Sequence, residues 1–209
     1  MGYKDKVPML GCENAWIAAG ALIAAVRNEG TISLTDEQIV EALNRTKRQA
    51  VGGYCGLTGV CGIAPAIGAC FSVILGAGCP KDRETAVTMR VVAQIVNAIA
   101  RETGPCCCKN FVRTALTEAV GMAAEYLEIS LPKQAKGEII CTDARRHPHG
   151  CRKEKCSYYN NEFETGGDGG MLDSYDKFHS TVYGQEGVLG RKTKHLIALA
   201  ASLAAGCEP

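Results

Sequence analysis

The chain has 209 residues, 46% of them hydrophobic, which is enough to bury a real core and excludes an extended or disordered polypeptide. Its 23 basic and 22 acidic residues nearly cancel, so no overall field draws it to nucleic acid or to an anionic membrane. Twelve cysteines are its strongest compositional feature.

The opening "MGYKDKVPMLGCENAW" lacks the apolar stretch and cleavage pattern of a signal peptide, so the expectation is a cytoplasmic chain. Cytosolic thiols stay reduced, and twelve of them point to metal or redox chemistry rather than to structural disulfides. Residues 14–28, "NAWIAAGALIAAVRN", are alanine-rich and apolar on most faces, which predicts a buried helix. The next helix starts after Thr35, a good N-cap followed by Asp36 and Glu37 in the first turn. Its basic end, residues 45–48, suits the C-terminal dipole and reads as a solvated helix end rather than a nucleic-acid patch.

Residues 51–80 carry no charge and approach the length needed to cross a bilayer, but their glycines predict a glycine-rich turn followed by a buried helix ending near Gly76. A long helix follows, with Val87, Val91, Ile95 and Ile99 spaced by four, and is ended by Gly104 and Pro105. "CCCKNFVRTALTEAVGMAAEYLEI" predicts a further amphipathic helix. The fold class expected is all-α: a five-helix bundle over residues 1–132, then a cysteine- and histidine-rich segment of the same domain over 133–160. A polar, glycine-rich linker over 161–170 leads to a partial helical segment over 171–209.

Three cysteine groups are candidates for chemistry. Cys55 and Cys61 lie in "YCGLTGVCG", where glycines let the backbone bend around something held by both thiolates; the phosphate-loop alternative lacks a lysine and the fingerprint spacing. Cys106, Cys107 and Cys108 occupy a helix start, where the dipole is expected to lower thiol pKa, although adjacent residues point about 100° apart and cannot all meet one ion. Cys141, Cys151 and Cys156 form the third group, with His147 and His149 between the first two. Sulfur and imidazole suit zinc or an iron–sulfur cluster. Cys70 and Cys79 read as small apolar residues, and Cys12 is left undecided.

The stretches "GGYCGLTGVCGIAPAIGACFSVILGA", "GPCCCK" and "CRKEKCSYY" resemble an uncharacterised cysteine-rich domain family of anaerobic microbes, found beside S-adenosylmethionine-dependent methyltransferases, over residues 9–159. The resemblance implies that Cys55, Cys61, Cys107, Cys108, Cys141, Cys151 and Cys156 are the family cysteines, candidate ligands of one metal site, while Cys106 stands where cysteine is unusual. Residues 173–209, including "YDKFHSTVYGQEGVLGRKTKHLIALAASLAAGCEP", resemble the carboxymuconolactone decarboxylase-like proteins, including the alkyl hydroperoxide reductase D type of thiol enzyme. That resemblance makes Cys207 the first redox cysteine and puts His195 where a proton-relaying glutamate stands.

The position three after Cys207 would hold the second redox residue, and the sequence ends one residue before it. The expectation is an in-frame UGA codon specifying selenocysteine, with a fragment or a frameshift as alternatives. The functional expectation is a cytoplasmic redox protein carrying a metal- or iron–sulfur-binding cysteine cluster and the start of a thiol-oxidoreductase module. The alternative is a non-catalytic zinc- or cluster-binding accessory domain that docks a methyltransferase or radical enzyme. The expected partners are a redox protein or an S-adenosylmethionine-dependent enzyme, with no nucleic acid and no membrane, and self-association would run through the C-terminal module if complete.

Overall fold

A computed structural model describes residues 9–160 apart from Thr103, Pro105 and residues 134–138. The expected linker, the partial C-terminal segment, Cys207 and His195 lie outside the described residues. Among those described there are six α-helices and no strand, so the all-α class holds. In chain order the helices are α1 (Glu13–Glu29), α2 (Asp36–Gln49), α3 (Tyr54–Thr58), α4 (Ile63–Leu75), α5 (Asp82–Arg101) and α6 (Cys108–Tyr126). Two single 3-10 turns, Ala144–Arg146 and Lys153–Lys155, follow. Five helices match the expected bundle, and α3 is a short addition inside the glycine-rich stretch.

The start of α2 is set by Thr35. Its hydroxyl accepts from the Gln38 amide at 3.3 Å while the Gln38 side chain accepts from the Thr35 amide at 2.9 Å, a reciprocal cap that satisfies two otherwise unpaired donors. Helix α4 is apolar nearly all round, with Ile63, Ala64, Ala66, Ile67, Cys70 and Phe71 buried, so it must be enclosed. It is: α1, α2, α5 and α6 all pack against it. Gly68 permits a close approach of α5, because a Cβ there would lie 2.3 Å from Cγ2 of Val92 on that helix.

One continuous core runs from Ala15 on α1 to Leu131 beyond α6. No described helix is long and apolar enough to cross a membrane, and the uncharged stretch forms the exposed turn α3 and then α4 within the bundle. Gly53 (φ 77°) and Gly59 (φ 79°) cap the two ends of α3 in the left-handed region, which confines Cys55 to a single short turn.

Candidate functional site

Of the eleven cysteines among the described residues, all but Cys70, in the middle of α4, and the exposed Cys79, beyond its C-terminal end, gather at the end of the bundle where α1, α4 and α6 begin. Cys12 immediately precedes α1, Cys61 lies two residues before α4, and Cys108 is the first residue of α6. The run Cys106, Cys107, Cys108 divides the thiols into two groups. Cys107 is in an extended conformation (φ −127°, ψ 106°), and successive side chains of an extended backbone point to opposite sides.

On one side, Cys107 joins Cys141, Cys151 and Cys156 around a cavity of about 20 Å³, the room of one water molecule or one ion. On the other, Cys106 and Cys108 lie close enough to Cys55 and Cys61 for their charges to interact. Cys12 reaches only Cys55 of this second group. The seven expected ligands are therefore distributed between two neighbouring sites. Cys106 and Cys12, which sequence left aside, sit with the second.

The cavity is built on α6 by a strap of polar contacts. The Cys141 amide donates to the Tyr158 carbonyl at 2.7 Å, tying together the two ends of the cysteine-bearing segment. Asp143, with a side chain only 9% exposed, binds the Lys109 ammonium of α6 at 2.7 Å and the Arg146 guanidinium at 3.1 Å. Buried Asn110 donates through its side-chain amide to Sγ of Cys156 at 3.1 Å and to a Glu102 carboxylate oxygen at 3.0 Å. The Lys153 amide points at Sγ of Cys151 (3.4 Å), the amide-to-sulfur geometry that steadies a thiolate.

His147 is buried and spoken for. Its Nδ1 accepts from the His149 amide at 3.2 Å, which assigns the proton to Nε2, and Nε2 donates to the Cys106 carbonyl at 3.0 Å. It therefore fastens the segment to the α6 start and has no lone pair left for a metal. His149 is exposed.

Arg152 completes the wall. Its Nη1 donates to the Glu102 carbonyl and to the Glu102 carboxylate (3.3 Å), while its Nε is buried with no hydrogen-bond partner among the described residues. Arg113 also lines the cavity, its guanidinium 5.2 Å from the Tyr158 ring centre. Arg113 and the Arg152–Glu102 ion pair thus stand beside the four thiols, and the Arg152 Nε is a further donor facing them. Neither arginine nor Asn110 was legible as a site residue; the pattern "CRKEKC" carried the signal for Arg152, whereas Asn110 is one polar residue in an amphipathic helix.

The expectation that the helix start lowers thiol pKa is corrected. Burial pushes Cys107 up, and the neighbouring thiols Cys141 and Cys156 add to it against the opposing backbone amides of Asn110 and Lys109. Burial likewise raises Cys106 and Cys108, and it drives Cys61 up to about 12. Desolvation outweighs the helix dipole because the thiols crowd one another out of water.

In this arrangement, among the described residues, no three Cys, His, Asp or Glu side chains already converge to the distances of one ion. Ligation of a single ion at the cavity takes rotation of cysteine side chains about χ1. The donor set fits a soft or borderline metal. No curated protein and no solved structure matches the chain significantly. A family model described as a family of unknown function (DUF5714) covers residues 1–159, and the chain belongs to that family.

Proposed function

We propose that residues 9–160 form a cysteine-ligated metal-binding domain of accessory, non-catalytic character, with Cys107, Cys141, Cys151 and Cys156 holding one zinc ion. The observation that carries this reading is the ion-sized cavity lined by four thiols together with the partnerless Nε of Arg152. Four thiolates around a divalent cation make a dianionic centre, and the Arg152 Nε, without a hydrogen-bond partner among the described residues, is a donor for its sulfurs. A docking role for an S-adenosylmethionine-dependent or redox partner is supported by Val51, Tyr54, Leu57 and Val60, apolar side chains exposed around Cys55, with Leu57 78% exposed.

The test is zinc binding by the full chain under anaerobic conditions, with competition by a chromogenic chelator. The Cys151→Ser/Cys156→Ser variant is expected to lose zinc affinity at this centre by more than tenfold. Unchanged affinity and stoichiometry would remove the reading.

The second reading is a cytoplasmic redox protein. The nearness of the Cys55 and Cys106 thiols, whose charges would repel, favours it. Its thiol-oxidoreductase part, with Cys207 and His195, rests on the resemblance of residues 173–209 alone. Colour and iron content after anaerobic purification separate the two: a spectrally silent zinc protein supports the accessory role, and a coloured iron protein supports the redox role.

A further inference from the structure

Asn110 follows Cys107, the N-cap of α6, by three residues, lines the four-thiol cavity and is 2% exposed. A polar side chain so deeply buried is costly unless its groups are paired, and here both N–H groups and the oxygen are met. Its Oδ1 accepts from the Thr114 hydroxyl at 3.2 Å, while Nδ2 donates to a Glu102 carboxylate oxygen at 3.0 Å and to Sγ of Cys156 at 3.1 Å. These partners fix which way the amide faces. A carboxylate accepts and does not donate, and this one also accepts from Arg152 at 3.3 Å, so the reversed amide would set oxygen against oxygen. The second N–H is then left for Cys156, whose sulfur is held as an acceptor.

The same residue serves a second thiol, because its backbone N–H is directed at Cys107. Asn110 therefore touches one cysteine of the helix start and one of the segment that folds over it. Packing alone gives no reason for an amide here, since Phe111, Val112, Ala115 and Ala119 fill the other buried positions nearby with apolar groups.

We propose that Asn110 is the positioning residue of the four-thiol centre: its side-chain amide sets the Cys156 sulfur in place as a ligand before a divalent, thiol-seeking cation arrives. The proposal rests on the reading of the cavity as a metal site. A ligand already ordered loses less freedom on binding, and an N–H donor offsets part of the charge that four thiolates bring together.

Asn110→Leu separates this role from a purely structural one. The variant keeps the side-chain size and leaves Glu102 paired with Arg152. The Thr114 hydroxyl can turn to the carbonyl four residues back, as Thr46, Thr88 and Thr117 already do, and a neutral Cys156 thiol requires no donor. The metal-free full chain should therefore keep its Tm. Cobalt(II), a coloured substitute for zinc, should bind this variant about 10- to 100-fold more weakly than wild type under anaerobic conditions. The sulfur-to-cobalt charge-transfer band should also move to lower energy, because a sulfur without its N–H donor gives up charge more readily. Unchanged affinity and band position would overturn the proposal, and so would weaker binding accompanied by a lower metal-free Tm.

A second measurement uses no metal. In the isotope-labelled, metal-free chain the Asn110 side-chain amide resonances should shift more on Cys156→Ala than on Cys151→Ala, and an equal or smaller response would overturn the proposed contact. The expected response in a wild-type chain that takes up no cobalt would uphold the contact and remove the metal reading instead.

Discussion

Replacing Gly68 by alanine tests the close packing of α4, the helix that follows Cys61, against α5. In an exposed helix this change gains about 1 kcal/mol from propensity. Here the new methyl would lie 2.3 Å from Cγ2 of Val92 and 3.8 Å from its Cβ, well inside the roughly 3.5–4 Å of ordinary carbon contact. Valine in a helix is held to one χ1 rotamer, so relief requires α4 and α5 to separate. Overpacking of this kind costs about 1–3 kcal/mol beyond any propensity gain. The net expectation is a loss of about 1–3 kcal/mol, or a Tm lower by about 2–12 °C at about 2–4 °C per kcal/mol for a chain of this size. Urea and thermal unfolding followed by circular dichroism measure it, and adding Val92→Ala should recover most of the loss as positive coupling. A Gly68→Ala protein as stable as wild type, or a double variant no better than additive, would refute the argument from close approach.

Removing Asp143 as Asp143→Ala should cost about 1–2 kcal/mol and speed proteolysis of the segment bearing Cys141, since Lys109 and Arg146 lose their shared anion; identical Tm and digestion would contradict the strap. Cys70, fully buried with its thiol donating to the Ala19 carbonyl, is pushed up to about 12 by burial. Its thiol is neutral in both states below about pH 9, and above that the unfolded chain ionises first, so stability should fall by about 1 kcal/mol per pH unit toward 12. Denaturant titrations at pH 8 and pH 10 check this, and a Cys70→Ala variant with the same alkaline slope would exclude Cys70 as the cause. Lys153→Gly should raise stability by about 1 kcal/mol, because Lys153 holds a left-handed φ of 51°; calorimetry showing a loss would contradict it.

Local signals carried most of the fold. The cap at Thr35, the four-residue spacing of Val91, Ile95 and Ile99, and the apolar surface of α4 each specify a helix without tertiary information. The candidate site was legible only as an inventory of cysteines. Their division depends on the extended backbone of Cys107, which sends its thiol to one side and those of Cys106 and Cys108 to the other. Sequence neighbours on a predicted helix start give no hint of that alternation. The thiol pKa directions were also hidden, because the dipole is readable from position whereas burial appears only once α3 and the later segment fold over the α6 start. The role of His147, noted in sequence only as lying between Cys141 and Cys151, was hidden for the same reason, since its hydrogen bonds to the Cys106 carbonyl and the His149 amide exist only in the folded chain.

The central claim is that Cys107, Cys141, Cys151 and Cys156 hold one ion. X-ray absorption at the zinc edge, recorded on the zinc-loaded Cys55→Ser/Cys108→Ser full chain, tests it most directly because two thiols outside the cavity are then removed as competing ligands. Four sulfur neighbours at about 2.3 Å with one zinc per chain is the result the account predicts. A coordination shell dominated by nitrogen or oxygen, or no zinc retained after dialysis, would contradict it.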